Sequence, residues 1–152
     1  MTYGQQLRKI VDQYIESGEG AWPATARQIA AWAIHRKLWQ PHEEKVIGQC
    51  AGDLARAMRE EYVTDKQGRS IRAKHAARLT KGGEQMMLWA DIRTAPHSHM
   101  ELAFKQRRQQ IVGDCWQLKR DADSYNENRQ PTDPIQVVFD FTNDLAELES
   151  IS

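Results

Sequence analysis

Helix breakers set the tightest limit on what this chain can become. Ser17-Gly18, Trp39-Gln40-Pro41 and Gly82-Gly83 divide the first eighty or so residues into short segments, each with its own period. Tyr3, Leu7, Ile10, Val11 and Tyr14 recur at helical spacing and predict a first helix over about 4–17. Thr25 and Gln28 form a capping-box pair, so a second helix starts near Thr25, burying Ile29, Trp32 and Ala33 and reaching toward Leu38. Pro41 disfavours helix at Gln40 and suits the first turn of the next one. A third helix then stacks Val46, Ile47, Cys50, Leu54, Ala57 and Met58 on the core and runs to about Glu61.

The period then changes. Tyr62-Val63-Thr64 leads into Asp65-Lys66-Gln67-Gly68, a turn with Asp first and Gly last. Ile71 and Ala73 next alternate with Ser70, Arg72 and Lys74, predicting a strand and hence a hairpin. Gly82-Gly83 marks the end of a first domain, 1–82, and Met86 to Ile92 reads as a further strand opening the second, 83–152. Pro96 to about Glu127 contains no second proline and predicts a long helix of about 45 Å at 1.5 Å per residue. Phe104, Ile111, Cys115, Leu118, Ala122 and Tyr125 form a narrow apolar seam along it, with Arg108 falling on the seam. A polar linker, Asn126 to Pro134, precedes Ile135 to Phe141, whose alternation predicts a short terminal strand. The fold class is mainly α, in the α+β sense.

The net charge of zero hides a segregation. Residues 1–120 hold 20 Lys and Arg against 13 Asp and Glu; residues 121–152 hold Arg129 against eight acids. A basic body with an acidic tail suits a polyanion-binding surface whose tail aids solubility, competes for that surface or docks a partner. No secretory leader and no membrane-spanning run is read, so the expectation is a cytoplasmic protein. Cys50 and Cys115 fall on apolar helix faces, where buried thiols are the expectation.

Three short helices followed by a basic hairpin, with a proline-marked turn between the second and third helices, resembles the winged helix-turn-helix family of DNA-binding domains. The resemblance covers about residues 4–80 and rests on element order. It implies that the third helix enters a major groove while the hairpin, as the wing, rides on the backbone or a minor groove. Opposite the expected core face of that helix stand Lys45, Gln49, Gly52, Asp53, Arg56 and Arg59, of which Lys45, Gln49, Arg56 and Arg59 are the candidate base or phosphate contacts. Glu43 and Glu44 in its first turn favour the helix dipole but oppose phosphates.

The hairpin carries the stronger signal. Lys66, Arg69, Arg72, Lys74, Arg78 and Lys81, with His75, lie within sixteen acid-free residues, and strand parity sets Arg72 and Lys74 side by side. Cations so spaced neutralise successive phosphates and release counterions; a solvated, aggregation-resistant edge strand is the competing reading. Lys105, Arg107, Arg108, Lys119 and Arg120 extend the footprint or form the polar faces of a dimerisation helix. The seam residues are the candidate homodimer interface, packing within the chain being the alternative.

His97 and His99 diverge on a helix and lack partners at metal-ligand spacing, so neither metal nor cofactor is expected, and no catalytic motif is read. The five tryptophans are expected as core and interface anchors. Gln136 to Phe141 resembles the short peptides that dock on bacterial replication sliding clamps, with Phe139 in place of the usual Leu; an edge strand is preferred. The expected function is binding of double-stranded DNA by a homodimer, as a bacterial transcriptional regulator or mobile-element accessory factor. The alternative is a non-enzymatic interaction subunit docking a protein through the acidic segment.

Overall fold

The computed structural model describes residues 1–41 and 43–151, with the backbone alone at 43 and 44. Among these residues are five helices and two small antiparallel sheets, a mixed α+β chain. It divides into two compact units, Met1–Asp53 and Leu54–Ser152. Among the described residues no helix is long and apolar enough to cross a membrane. The Glu43 and Glu44 side chains, expected to oppose phosphates, lie outside the described residues.

In the first unit, α1 (Tyr3–Ser17) and α2 (Ala26–His35) both begin at capping boxes, Thr2 with Gln5 and Thr25 with Gln28. Each threonine hydroxyl accepts a backbone N–H that the first helical turn leaves unpaired, and each glutamine returns the bond. Gly18 ends α1 in the left-handed region at φ 64°. The two helices bury Ile10, Tyr14 and Ala33 between them. Tyr14 donates its hydroxyl to the Ala21 carbonyl at 2.7 Å, and its ring meets Trp32 edge-on at 5.4 Å. Glu19 in the connecting loop pairs with Arg36 and accepts from the Trp32 indole, which lowers its pKa.

The third helix, α3 (Glu43–Arg59), departs from expectation. Val46, Ile47 and Leu54 are 55%, 83% and 57% exposed and Cys50 is exposed as well; of the six residues expected on the core, Met58 alone is even half-buried. An amphipathic period fixes which side of a helix is apolar and not whether anything covers it.

The second unit contains two hairpins where one wing was expected. β1 (Tyr62–Thr64) pairs with β2 (Ser70–Arg72) around the turn the sequence announced, in which Asp65 accepts from the N–H groups of Gln67 and Arg69 and Gly68 takes φ 83°. The basic run then continues into a separate hairpin of β3 (Lys74–Lys81) with β4 (Glu84–Asp91). Ala73, fully buried, joins them: its N–H donates to the Glu61 carbonyl and its carbonyl accepts from Ile92 N–H at 2.8 Å. Gly82-Gly83, read from sequence as punctuation between domains, is the two-residue turn of this second hairpin, with both φ values positive. Glycine takes the positive φ of that mirror-image turn with no Cβ penalty.

Across β3 lies the start of α4 (His97–Arg129), the long helix expected from Pro96 onward. Ala73, just before the strand, and His75 and Ala77 on it alternate inward, and Met100 and Ala103 are buried on the helix that packs there. The small side chains allow close approach, and polar clamps fix its position. His99 bonds the His75 carbonyl at 2.9 Å, and Gln106 both accepts from Arg78 N–H and donates to its carbonyl. Gln106 thereby acts as a neighbouring strand for the β3 edge. Gln106→Ala is expected to lower unfolding free energy by about 1–2 kcal/mol, two backbone groups losing their partner; unchanged denaturant stability would show that water replaces the clamp.

The tail also differs from expectation. Residues 135–141 form no strand and pair with neither sheet. Asn126 instead clips both the N–H and the carbonyl of Ile135. Beyond it, Asp140 accepts from the Thr142 N–H and hydroxyl and starts an unanticipated helix, α5 (Thr142–Ser150).

Candidate nucleic-acid interface

A groove of about 680 Å³ opens on the second unit between the β3–β4 sheet and α4. Its cations come from four elements: Arg59 from the end of α3, Arg72 from β2, Lys74 and Arg78 from β3, and Arg107 from α4. Gln106, Gln109 and Gln110 add amides, Met87 and Trp89 supply apolar floor, and Arg59 lies over the Trp89 ring at 5.8 Å. Among the described residues lining it, Asp114 is the single carboxylate.

The cations are not equivalent. Lys74 reaches Glu61 and Asp91 at 3.1 Å each, and these hydrogen bonds raise its pKa and spend its charge within the fold. Asp91 is the hub: it also takes the Arg93 guanidinium at 2.7 Å and the Arg93 N–H, which hold its carboxyl well below the usual carboxylate range. Arg107 is pressed in the opposite sense. Partial burial, and after it the positive charge of Arg72, lower the pKa of its guanidinium. An arginine stays ionised under such pressure, so the groove holds Arg72 and Arg107 as two like charges, with Arg107 still exposed to solvent. An anion placed with them relieves both penalties, and a phosphate matches the guanidinium fork.

Of the residues expected from sequence to touch nucleic acid, Arg59, Arg72, Lys74 and Arg78 converge here. Arg72 and Lys74 were expected side by side on one strand; Ala73 separates them into different hairpins, although both still line the groove. Lys66 stands exposed in the first hairpin turn, Arg69 is occupied by Asp65 at 2.8 Å, and Lys81 sits at the far tip of β3. Lys45 lies over the Tyr3 ring at 5.0 Å in the first unit, where Gln49 is exposed on the same helix; Arg56, in the second unit, is likewise exposed on α3.

The sequence does not single out the three glutamines; it marks Trp89 as a core or interface anchor, and Arg107 as one of several α4 cations that extend the footprint or form a helix's polar face. The signal that unites Arg72 with Arg107 is spatial, since thirty-five positions separate them in the chain. His97 turns to Glu101 and His99 to the His75 carbonyl, so the two histidines diverge.

The seam residues also have distinct places. Phe104 sets its edge against His75 at 5.3 Å within the chain, whereas Ile111, Leu118 and Tyr125 are 51%, 50% and 41% exposed. Cys115 and Ala122 are half-buried. Trp116, expected as an anchor, is 58% exposed with Arg120 stacked on it at 4.7 Å, and Trp22 is exposed too. No protein-family model, curated protein or solved structure matches this chain.

Proposed function

We propose that the protein binds double-stranded DNA, gripping backbone phosphates in the arginine groove of its second unit. The observation that carries this reading is the convergence of Arg59, Arg72, Arg78 and Arg107 in one groove beside a single carboxylate. Such a site contacts phosphate and carries no base code, so affinity exceeds sequence preference. The order of α1 to α3 followed by β1–β2 is that of a winged helix-turn-helix, and we read the first hairpin as its wing and α3 as the helix that follows the DNA. The exposed face of α3 accords with a helix that is not committed to a core. On this reading the chain is a transcriptional regulator or an accessory factor of a mobile element.

The test is a titration of a fluorescent random duplex across a salt series. Three to four phosphate contacts give a log–log salt slope of roughly −3 to −4. Affinity indifferent to salt, or no binding at low salt, would remove the proposal. A second reading, docking of a protein through the acidic segment, is favoured by the exposed Leu145, Leu148 and Ile151 of the tail, which sit among Asp144, Glu147 and Glu149.

A further inference from the structure

The distal half of α4 carries an apolar face that stays largely exposed. Ile111 still borders the groove beside β3, yet Ile111, Val112, Trp116, Leu118 and Tyr125 are between 41% and 58% exposed. Ile111, Leu118 and Tyr125 are seven residues apart, and Cys115 and Ala122 fall four residues after the first two of them. That is the spacing of a 3.5-residue seam, which a second helix covers by knobs-into-holes packing. We infer that two copies of this chain pair in parallel and in register through α4 from Ile111 to Tyr125.

The occupant and its direction follow from the charges beside the seam. In a parallel pair, the residue just before a Cys115-type position lies against the residue five further on in the other helix. Asp114 then meets Lys119 of the second copy, and the two-fold axis repeats the contact. Lys119 already holds Asp123 at 2.6 Å with both side chains more than half exposed, so the second carboxylate extends an existing pair. Asp121 meets the neutral Asn126. In the antiparallel alignment that sets Ile111 against Ala122, Asp114 faces Asp121 twice and Lys119 faces Val112. Opposite charges favour the first arrangement and like charges disfavour the second.

Arg108 on the seam ends the pairing at its sheet-proximal end, since two buried guanidinium groups would face each other there. A parallel pair also brings two arginine grooves to the same end of the assembly. One duplex then engages both, a consequence that rests on the nucleic-acid reading, whereas the pairing itself does not.

Light scattering of the full chain is expected to give twice 17.5 kDa. In a full chain carrying Cys50→Ser and Cys115→Ser, Ala122→Cys is expected to form an intermolecular disulfide under diamide roughly tenfold faster than the outward Ser124→Cys, because only facing seam positions meet disulfide geometry. Asp114→Lys is expected to weaken self-association about tenfold, and Lys119→Asp added to it to restore most of the loss. The mass of a single chain overturns the inference, whether the seam is then covered by the tail or by another protein. So does a dimer in which residue 122 cross-links no faster than residue 124, or one indifferent to Asp114→Lys. The duplex titration is made on the unsubstituted chain, because Asp114 also lines the groove, and a monomer with an intact groove passes it.

Discussion

Replacing Arg72 and Arg107 together by alanine is expected to weaken binding to a random duplex about a hundredfold at low salt, the loss of two charge-assisted contacts at roughly 1.5 kcal/mol each. The salt dependence sharpens the reading. Each lost phosphate contact lowers the log–log slope by about 0.9, so the double variant is expected to fall short of the parent by about 1.8. Lysine at both positions keeps the charge and hence the slope, but forfeits the guanidinium fork, and affinity is expected to lie between the two. Lys66→Ala with Lys81→Ala also removes two cations, both from the acid-free run that holds Arg72, at positions that do not line the groove. If phosphates sit in the groove, this control changes affinity far less than the arginine pair. Equal losses from both double variants would mean that the run acts as a diffuse basic surface and that the groove has no special part. Thermal unfolding of the variants separates a loss of binding from a weakened fold.

The groove was half legible in the sequence. Arg72, Lys74 and Arg78 stood out because they are close together in the chain and no acid interrupts them. What a linear reading missed is the partner that cancels a charge and the partner that concentrates it. Lys74 is neutralised from Glu61 and Asp91, thirteen and seventeen residues away, and Arg72 is matched by Arg107, thirty-five away. Local chemistry travelled well: the Thr25 and Gln28 cap and the Asp65 turn formed as read, since their bonds close within four residues. The equivalent Thr2 and Gln5 box was present by the same rule and extended α1 to Tyr3. Gly82-Gly83 failed as a boundary because a glycine pair serves a tight hairpin as readily as a linker. The final alternation, Ile135 to Phe141, failed because a period of two becomes a strand only when it pairs, and this segment joins neither small sheet. Apolar periodicity was informative about direction and silent about company: α3 and distal α4 carry the expected faces, and both leave much of them in water.

The first unit is expected to lose its fold on Tyr14→Ala. Its described core is small, with Ile10, Tyr14 and Ala33 buried, and Tyr14 is the only large ring among them at 4% exposure. That ring holds three pieces together. Its hydroxyl fixes the 18–24 loop through Ala21, its edge contact orients Trp32 on α2, and Gly20 lies so close that a Cβ there would collide with the phenol. Truncating a buried aromatic costs about 3–5 kcal/mol, and a unit of this length is stable by roughly 3–8 kcal/mol, so the change consumes most or all of what is present. The contributions separate by substitution. Tyr14→Phe forfeits one hydrogen bond to a backbone carbonyl, about 1 kcal/mol. Gly20→Ala forces the ring or the loop aside, about 1–3 kcal/mol. The expected order of damage is therefore Tyr14→Phe, then Gly20→Ala, then Tyr14→Ala, read as falling amide hydrogen-exchange protection in α1 and α2. If Gly20→Ala proved harmless while Tyr14→Phe was severe, the loop would be held by the hydroxyl alone and the close packing under Gly20 would contribute nothing.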